Sequence, residues 1–149
     1  MIVIEPAVME DIPQLAAILS TLFGQEADFH PDPTRQERGL RLIIGAPEAG
    51  RIFVARRGDK ILGMVNLLFT VSTARGDPVI LLEDMFVREE VRGLGIGAAL
   101  LERAIDFAKT GGFSRITLLT DAVNEKAIRF YARHGFDLSA MAPMRLLLG

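Results

Sequence analysis

The chain has 149 residues, half of them hydrophobic and 24% charged, and 17 Lys plus Arg against 19 Asp plus Glu give a net charge of -2. This is one domain's worth of ordinary globular sequence, with no block of five or more like charges and so no basic face for sequence-independent nucleic-acid binding. There is no cysteine, which excludes disulfides and a cysteinyl acyl intermediate. No apolar run reaches the ~18 residues of a membrane span, and no basic start leads into a long apolar core. The expectation is a single cytoplasmic domain over residues 1–149, with neither a nucleic-acid nor a membrane partner.

In chain order, residues 2–4 read as a short strand. Asp11 is a good N-cap for a helix whose Ile12, Leu15, Ile18, Leu19 and Leu22 recur at helical spacing, with Pro13 in the first turn. From Gly24 to Pro33 the pattern breaks into a loop carrying Glu26, Asp28, Phe29, His30 and Asp32. Thr34 then caps a second helix over 34–44, closed by Gly45-Ala46-Pro47. Runs 51–56 and 61–71 are β-type and joined by a hairpin turn at 57–60, and Gly63 suggests a bulge or a close backbone approach. After a turn at 73–78 the next strand is 79–87, completing an antiparallel meander.

That strand runs through a short charged loop into Arg92-Gly93-Leu94-Gly95-Ile96-Gly97 and at once into a helix with Leu100, Leu101, Ala104, Ile105 and Ala108 on its apolar face. Glycines ahead of a helix let the backbone approach a ligand, and the first free N–H groups of the helix point at it with the positive end of the dipole behind them. Gly93, Gly95 and Ala98 also fit the dinucleotide pattern G-x-G-x-x-[GA], but the five mostly charged residues 88–92 separate them from the strand, where that pattern begins directly at the strand end. No Lys-Ser or Lys-Thr follows Gly97, so the P-loop motif is absent. Residues 115–120 form a strand parallel to 79–87, since a helix bridges the two. Asn124 caps a last helix over 125–134, ended by Gly135, and 144–148 is a final strand.

Arg92-x-x-Gly95-x-Gly97 matches the (Q/R)-x-x-G-x-(G/A) signature of the GCN5-related N-acetyltransferases, after a strand and opening a helix as in that family. Residues 124–136 closely resemble the family segment N-x-x-A-x-x-x-Y-x-x-x-G-F. The stretch 82–87, Leu-Glu-Asp-Met-Phe-Val, looks most like the spermidine/spermine branch. The resemblance spans nearly the whole chain. It implies an α/β (α+β) fold with a mixed, mostly antiparallel central sheet, a splayed parallel pair and about four helices. The implied reaction is transfer of an acetyl group from acetyl-CoA, as co-substrate, to an amine by direct attack in a ternary complex.

The resemblance assigns the CoA pyrophosphate to the backbone N–H groups of Gly93, Leu94, Gly95, Ile96 and Gly97, with Arg92 as a charge partner. Hydrogen bonds to a charged group contribute roughly 1.5–3 kcal/mol each, so a handful would hold it. Met85, Phe86 and Val87 match the strand whose free backbone groups pair with the pantetheine arm, and one of their N–H groups could stabilise the oxyanion. Glu83 is the first candidate for a general base, by match to the glutamate of the polyamine enzymes; Asp84 falls on the opposite face of a regular strand, and both could instead be solvated or paired charges. Tyr131 matches the family's general acid, or is a core aromatic beside Ala127 and Phe130. Asn124 resembles a CoA-contacting asparagine, which a helix N-cap explains equally well.

The acceptor region implied by the resemblance is roughly 23–41. Acidic residues there could attract a polyamine, an amino sugar or a peptide N-terminus, or simply form a solvated charged loop. The partner is thus a small-molecule or peptide amine. An alternative is an acyl-CoA-binding regulatory module of the same fold without turnover. His30 and His134 give no metal site. Family members often dimerise through strand edges near the C-terminus, so 144–148 could serve in a homodimer or lie covered inside the sheet.

Overall fold

The apolar β-runs satisfy one another's backbone groups in a single five-stranded sheet, ordered β1-β2-β3-β4-β5. β1 (Val3–Pro6), β2 (Gly50–Arg57), β3 (Lys60–Ser72) and β4 (Asp77–Val87) pair antiparallel, and β5 (Ile116–Leu118) is parallel to β4. Four helices accompany it: α1 (Ile12–Gln25), α2 (Pro33–Ile44), α3 (Ile96–Thr110) and α4 (Glu125–Arg133). The structure, a computed structural model, describes residues 1–25 and 31–149. Glu26, Asp28, Phe29 and His30 of the acidic loop lie outside the described residues. Two compact units are present, Met1–Leu119 and Thr120–Gly149. Among the described residues no helix is long and apolar enough to cross a membrane.

In the first unit the sheet divides two cores. On one face Ile12, Leu15, Ile18 and Leu19 of α1 and Leu40 of α2 pack on Ile52, Val54, Met64 and Phe86. On the other, α3 brings Leu100, Leu101, Ala104 and Ala108 into burial, and Phe107 meets Phe53 edge-on and stacks with Phe69 and Phe113. Gly63 is a point of close approach between the sheet and α3. A Cβ there would lie 2.8 Å from the Phe86 carbonyl oxygen and 3.1 Å from Leu100 Cδ1, and the β2–β3 register shifts beside it, between Ala55 and Arg56.

Several local expectations differ from what is observed. The cap of α2 is Asp32, whose side chain accepts from the Arg35 N–H, so Pro33 takes the first helical position and Thr34 lies inside. Asp11 ends a 3-10 turn before α1 and reaches back to the Val8 N–H at 2.9 Å. Residues 144–148 are not a strand and are exposed. A strand needs a neighbour to take its N–H and C=O groups, and among the described residues the second unit has a helix but no strand.

Asp11 is also the centre of an ionic knot. Arg56 donates to both of its oxygens, at 3.0 and 2.8 Å, and through Nε to Glu5 at 2.8 Å, which ties β2 to β1 and to the entry of α1. Burial would push the Asp11 carboxyl up, but the hydrogen bonds from Arg56 and Val8 and the guanidinium charge together hold it below its ordinary value. A depressed carboxyl contributes stability above its unfolded pKa and loses it as pH falls through the folded one. Arg56→Met leaves Asp11, 5% exposed, without its counter-charge. It is expected to cost about 3 kcal/mol at neutral pH, with the deficit narrowing as acid protonates Asp11; urea denaturation at pH 7 and in acid measures both.

Candidate active site

The site begins at an irregularity in β4. Leu67 pairs with Leu82 and Asn66 with Asp84, so Glu83 is an extra residue with no counterpart on β3. Directly opposed residues share a face and adjacent residues on a strand take opposite faces. Asn66 and Leu67 therefore place Asp84 and Leu82 on opposite sides of the sheet, although two residues apart. Leu82 joins the α3 side, and Asp84 joins Met64 and Phe86 on the α1–α2 side.

There Asp84 lines a cavity of about 470 Å³ walled by Leu19 and Phe23 of α1 and by Arg35, Leu40 and Ile43 of α2. Asp84 is 8% exposed and accepts a hydrogen bond of 3.1 Å from Asn66 Nδ2. Burial, opposed by the Asn66 hydrogen bond and reinforced by the negative charge of Glu83, pushes its carboxyl up to about 6. Asn66 Oδ1, buried in the same wall, has no hydrogen-bond partner among the described residues. Glu83 itself is exposed.

The same irregularity opens an edge. β5 pairs with β4 only over Ile80–Leu82, and among the described residues of this unit no strand lies beside Met85, Phe86 and Val87 on that side. The Arg88 N–H is bound to Leu62 of β3 at 2.8 Å, so by alternation the backbone groups of Val87 and Met85 point away from β3. Arg92 Nε donates to the Val87 carbonyl at 3.0 Å, and its guanidinium lies 5.4 Å over the Phe86 ring, folding the loop back onto the strand.

From Arg92 the backbone turns left-handed twice, with φ of 84° at both Gly93 and Gly95, a conformation that favours glycine. Among the described residues, a Cβ at either position would meet no atom within 4 Å, so the space around these two turns is open. Helix α3 starts at Ile96 with its first internal bond from the Ala99 N–H to the Gly95 carbonyl. The N–H groups of Ile96, Gly97 and Ala98 have no partner inside the helix, and among the described residues no side chain caps its start. Open space, small residues and free donors at a helix N-terminus fit a diphosphate such as that of CoA.

In the second unit the Asn124 side chain accepts from the Ala127 N–H at 3.1 Å and caps α4. Tyr131 sits on α4 with its ring edge-on to Phe130 and Phe136. Burial pushes its phenol up to about 12, so the hydroxyl keeps its proton across the neutral range.

Residues 12–136 match the acetyltransferase (GNAT) family. The chain is a GNAT-family acetyltransferase. The uncharacterized N-acetyltransferase YhfO of Bacillus subtilis is 30% identical over 125 residues, 82% of this chain and 83% of that protein. Streptothricin acetyltransferase A of the same organism is 41% identical over 64 residues, covering 43% of this chain and 37% of that protein. Among solved structures, integron cassette protein HFX_CASS3, from the mobile metagenome of Cole Harbour salt marsh, has a TM-score of 0.84 at 27% identity, over 98% of this chain and 90% of that one. An aminoglycoside acetyltransferase from an uncultured soil metagenomic sample, in complex with sisomicin, has the same fold, with a TM-score of 0.80 at 20% identity over 99% and 97% of the two chains.

Of the sequence-derived candidates, the structure gathers Met85 to Val87 and Arg92 to Gly97 at one edge of the first unit. The acetyltransferase's Asn66 was overlooked. Its signal was a lone amide inside the apolar run 61–71, opposite a carboxylate-bearing strand. The raised Asp84 carboxyl makes stability fall as pH rises from about 4 to about 6, because the unfolded chain loses this proton first. Asp84→Asn is expected to be more stable than the parent by up to about 3 kcal/mol at pH 8, and equal to it near pH 4; urea titrations at the two pH values test this.

Proposed function

We propose that this acetyltransferase carries an acetyl group from acetyl-CoA to a primary amine of a small molecule or peptide, by direct attack of the amine on the thioester in a ternary complex. The observation that carries the reading is Asp84, a buried carboxylate facing a cavity and one residue before Met85, whose backbone groups, like those of Val87, point away from β3. A proton acceptor, an acceptor-sized cavity and an edge for an extended amide-bearing arm meet there. Streptothricin acetyltransferase A and the fold relative crystallised with sisomicin are named for small-molecule acceptors, which supports the same class here.

In this reading the N–H groups of Gly93 to Gly97 hold the pyrophosphate, and Met85 and Val87 present backbone groups to the pantetheine amides while those of Phe86 turn toward β3. Asp84 takes a proton from the incoming ammonium, which exposes the nitrogen lone pair. The new C–N bond forms at the thioester carbon, with a Met85 or Val87 N–H facing the developing oxyanion, and the C–S bond breaks. Tyr131 is assigned the proton that the departing thiolate needs, and Asn124 a contact to CoA, both by their match to the family segment. Asp84 takes the base role in preference to Glu83 because it lines the cavity, whereas Glu83 faces solvent.

Thiol release from acetyl-CoA, screened over aliphatic amines, polyamines, amino sugars and peptide N-termini, tests the reading. Amine-dependent release is expected; acetyl-CoA binding with no release by any amine would favour the regulatory alternative. kcat/KM is expected to rise through a pH near 6, since Asp84 acts unprotonated. Asp84→Asn is expected to lower kcat at least ~100-fold and abolish that limb, with Glu83→Gln retaining it; the opposite pattern would return the base to Glu83. Tyr131→Phe is expected to cut kcat with little change in acetyl-CoA affinity, and unaltered turnover would remove its acid role.

A further inference from the structure

We propose that Asn66 is a positioning residue for the acetyl transfer: through its side-chain N–H it fixes the Asp84 carboxylate and keeps it ionised, ready to take the acceptor's proton. This deepens the amine-acetylation reading and rests on it for the role of Asp84. Asn66 stands opposite Asp84 on β3, is 4% exposed, and donates from Nδ2 to Asp84 Oδ2 at 3.1 Å. Among the described residues this is the one hydrogen bond that its amide makes and the one that the Asp84 side chain receives.

A purely structural amide is bonded differently. Gln36, the other buried amide of the cavity wall, donates from Nε2 to the Ala16 carbonyl and to Ser20 Oγ and accepts at Oε1 from the Asp32 N–H, so it ties α2 to α1. Asn66 joins β3 only to a side chain of β4, and backbone pairing already holds those two strands together from Gly63 to Ser72. Its Oδ1 is buried and has no partner among the described residues, which costs stability. In the run Met64-Val65-Asn66-Leu67-Leu68 an aliphatic residue would avoid that cost. What the amide supplies in return is its effect on Asp84.

That effect has a definite sign. Burial disfavours the charged form of a carboxyl, whereas an N–H that donates to it favours the charged form. Glu83, on the same strand, is a like charge and acts in the direction of burial. On α2, Asp32 and Arg35 line the same cavity and pair with each other at 3.5 Å, and the α1 residues in the wall, Leu19 and Phe23, carry no charge. The Asn66 N–H is thus the contact that opposes both burial and Glu83. It also selects one orientation for a carboxylate whose terminal torsion is otherwise broad.

Asn66→Leu, branched like the parent residue at Cγ but without a donor, tests this with and without turnover. In the free protein the side-chain carboxyl carbon resonance of Asp84 reports its titration, and the midpoint is expected to rise by about one to two pH units, the equivalent of one hydrogen bond to a charged group. Asn66→Gln, which keeps a donor, is expected to stay nearer the parent midpoint. The unfolded chain still loses this proton at its ordinary pH, so the stability of the leucine variant relative to the parent is expected to worsen from pH 4 to pH 8, read by urea titration. In turnover, the acid limb of kcat/KM is expected to move up with the carboxyl midpoint while KM for acetyl-CoA is unmoved. Asn66→Ala repeats the measurements if the leucine variant does not melt cooperatively. A midpoint that stays in place without the donor, or a stability change equal at pH 4 and pH 8, overturns the proposal. A limb that stays near pH 6 while the carboxyl midpoint moves overturns it too, and removes Asp84 as the base. Failure of every amine to release thiol overturns the acetyl-transfer reading instead, and the carboxyl titration still decides whether Asn66 holds Asp84.

Discussion

One extra residue in one strand controls most of what this molecule can do. If Glu83 had a partner on β3, the pairing Leu67–Leu82 would place Asp84 over α3, in the apolar layer built by Leu100 and Leu101. The slip at Glu83 instead turns the carboxylate to the α1–α2 side while leaving Leu82 and Ile80 in the α3 core. It also marks the point where β5 stops following β4. The last residues of β4 thus carry an acid on one face and, at Met85 and Val87, peptide groups that point away from β3 on one edge. A bulge of this kind is a positioning device, since the extra residue reverses the facing of the side chains that follow it on the strand.

Two aspartates in the same unit show how far surroundings decide a carboxyl's behaviour. Asp11 and Asp84 are almost equally buried, at 5% and 8% exposed. Asp11 has a guanidinium on both oxygens and a backbone N–H besides, and it stays charged well into acid. Asp84 has one neutral amide and a like charge beside it, and it holds its proton up to about pH 6. The first fastens β1, β2 and α1 together; the second carries a charge that is poorly compensated and available for proton traffic.

Much of this was legible in the residues. The β-runs 51–56, 61–71 and 79–87, the stripe on α3, the glycine-rich turn before it and the family signature all rest on local pattern, which sequence displays directly. What was not legible depends on pairing across strands. Counting by alternation puts Glu83 and Asp84 on opposite faces, and the eye goes to Glu83 because a polyamine enzyme has a glutamate there; only the register against Asn66 shows which carboxylate enters the cavity. The expected strand at 144–148 fails for the same reason, since an apolar run becomes a strand only where a partner edge is offered. Asp32 displaced Thr34 as the cap of α2 because proline is well placed just after a cap, a rule the sequence contained.

The start of α3 carries a further consequence. Most helices close their first turn with a serine, threonine or aspartate, whereas Gly95 supplies no side-chain oxygen, and the left-handed turn before it forgoes the stabilisation a bulkier residue would give. Three amide protons therefore have no partner inside the helix in the segment that opens it. Such a terminus is where a helix exchanges and frays most readily, and an anion seated on those amides would quench that motion. The element that would grip the donor is thus the least self-sufficient part of α3, so that occupancy of the cradle and order in the first turn of the helix rise and fall together.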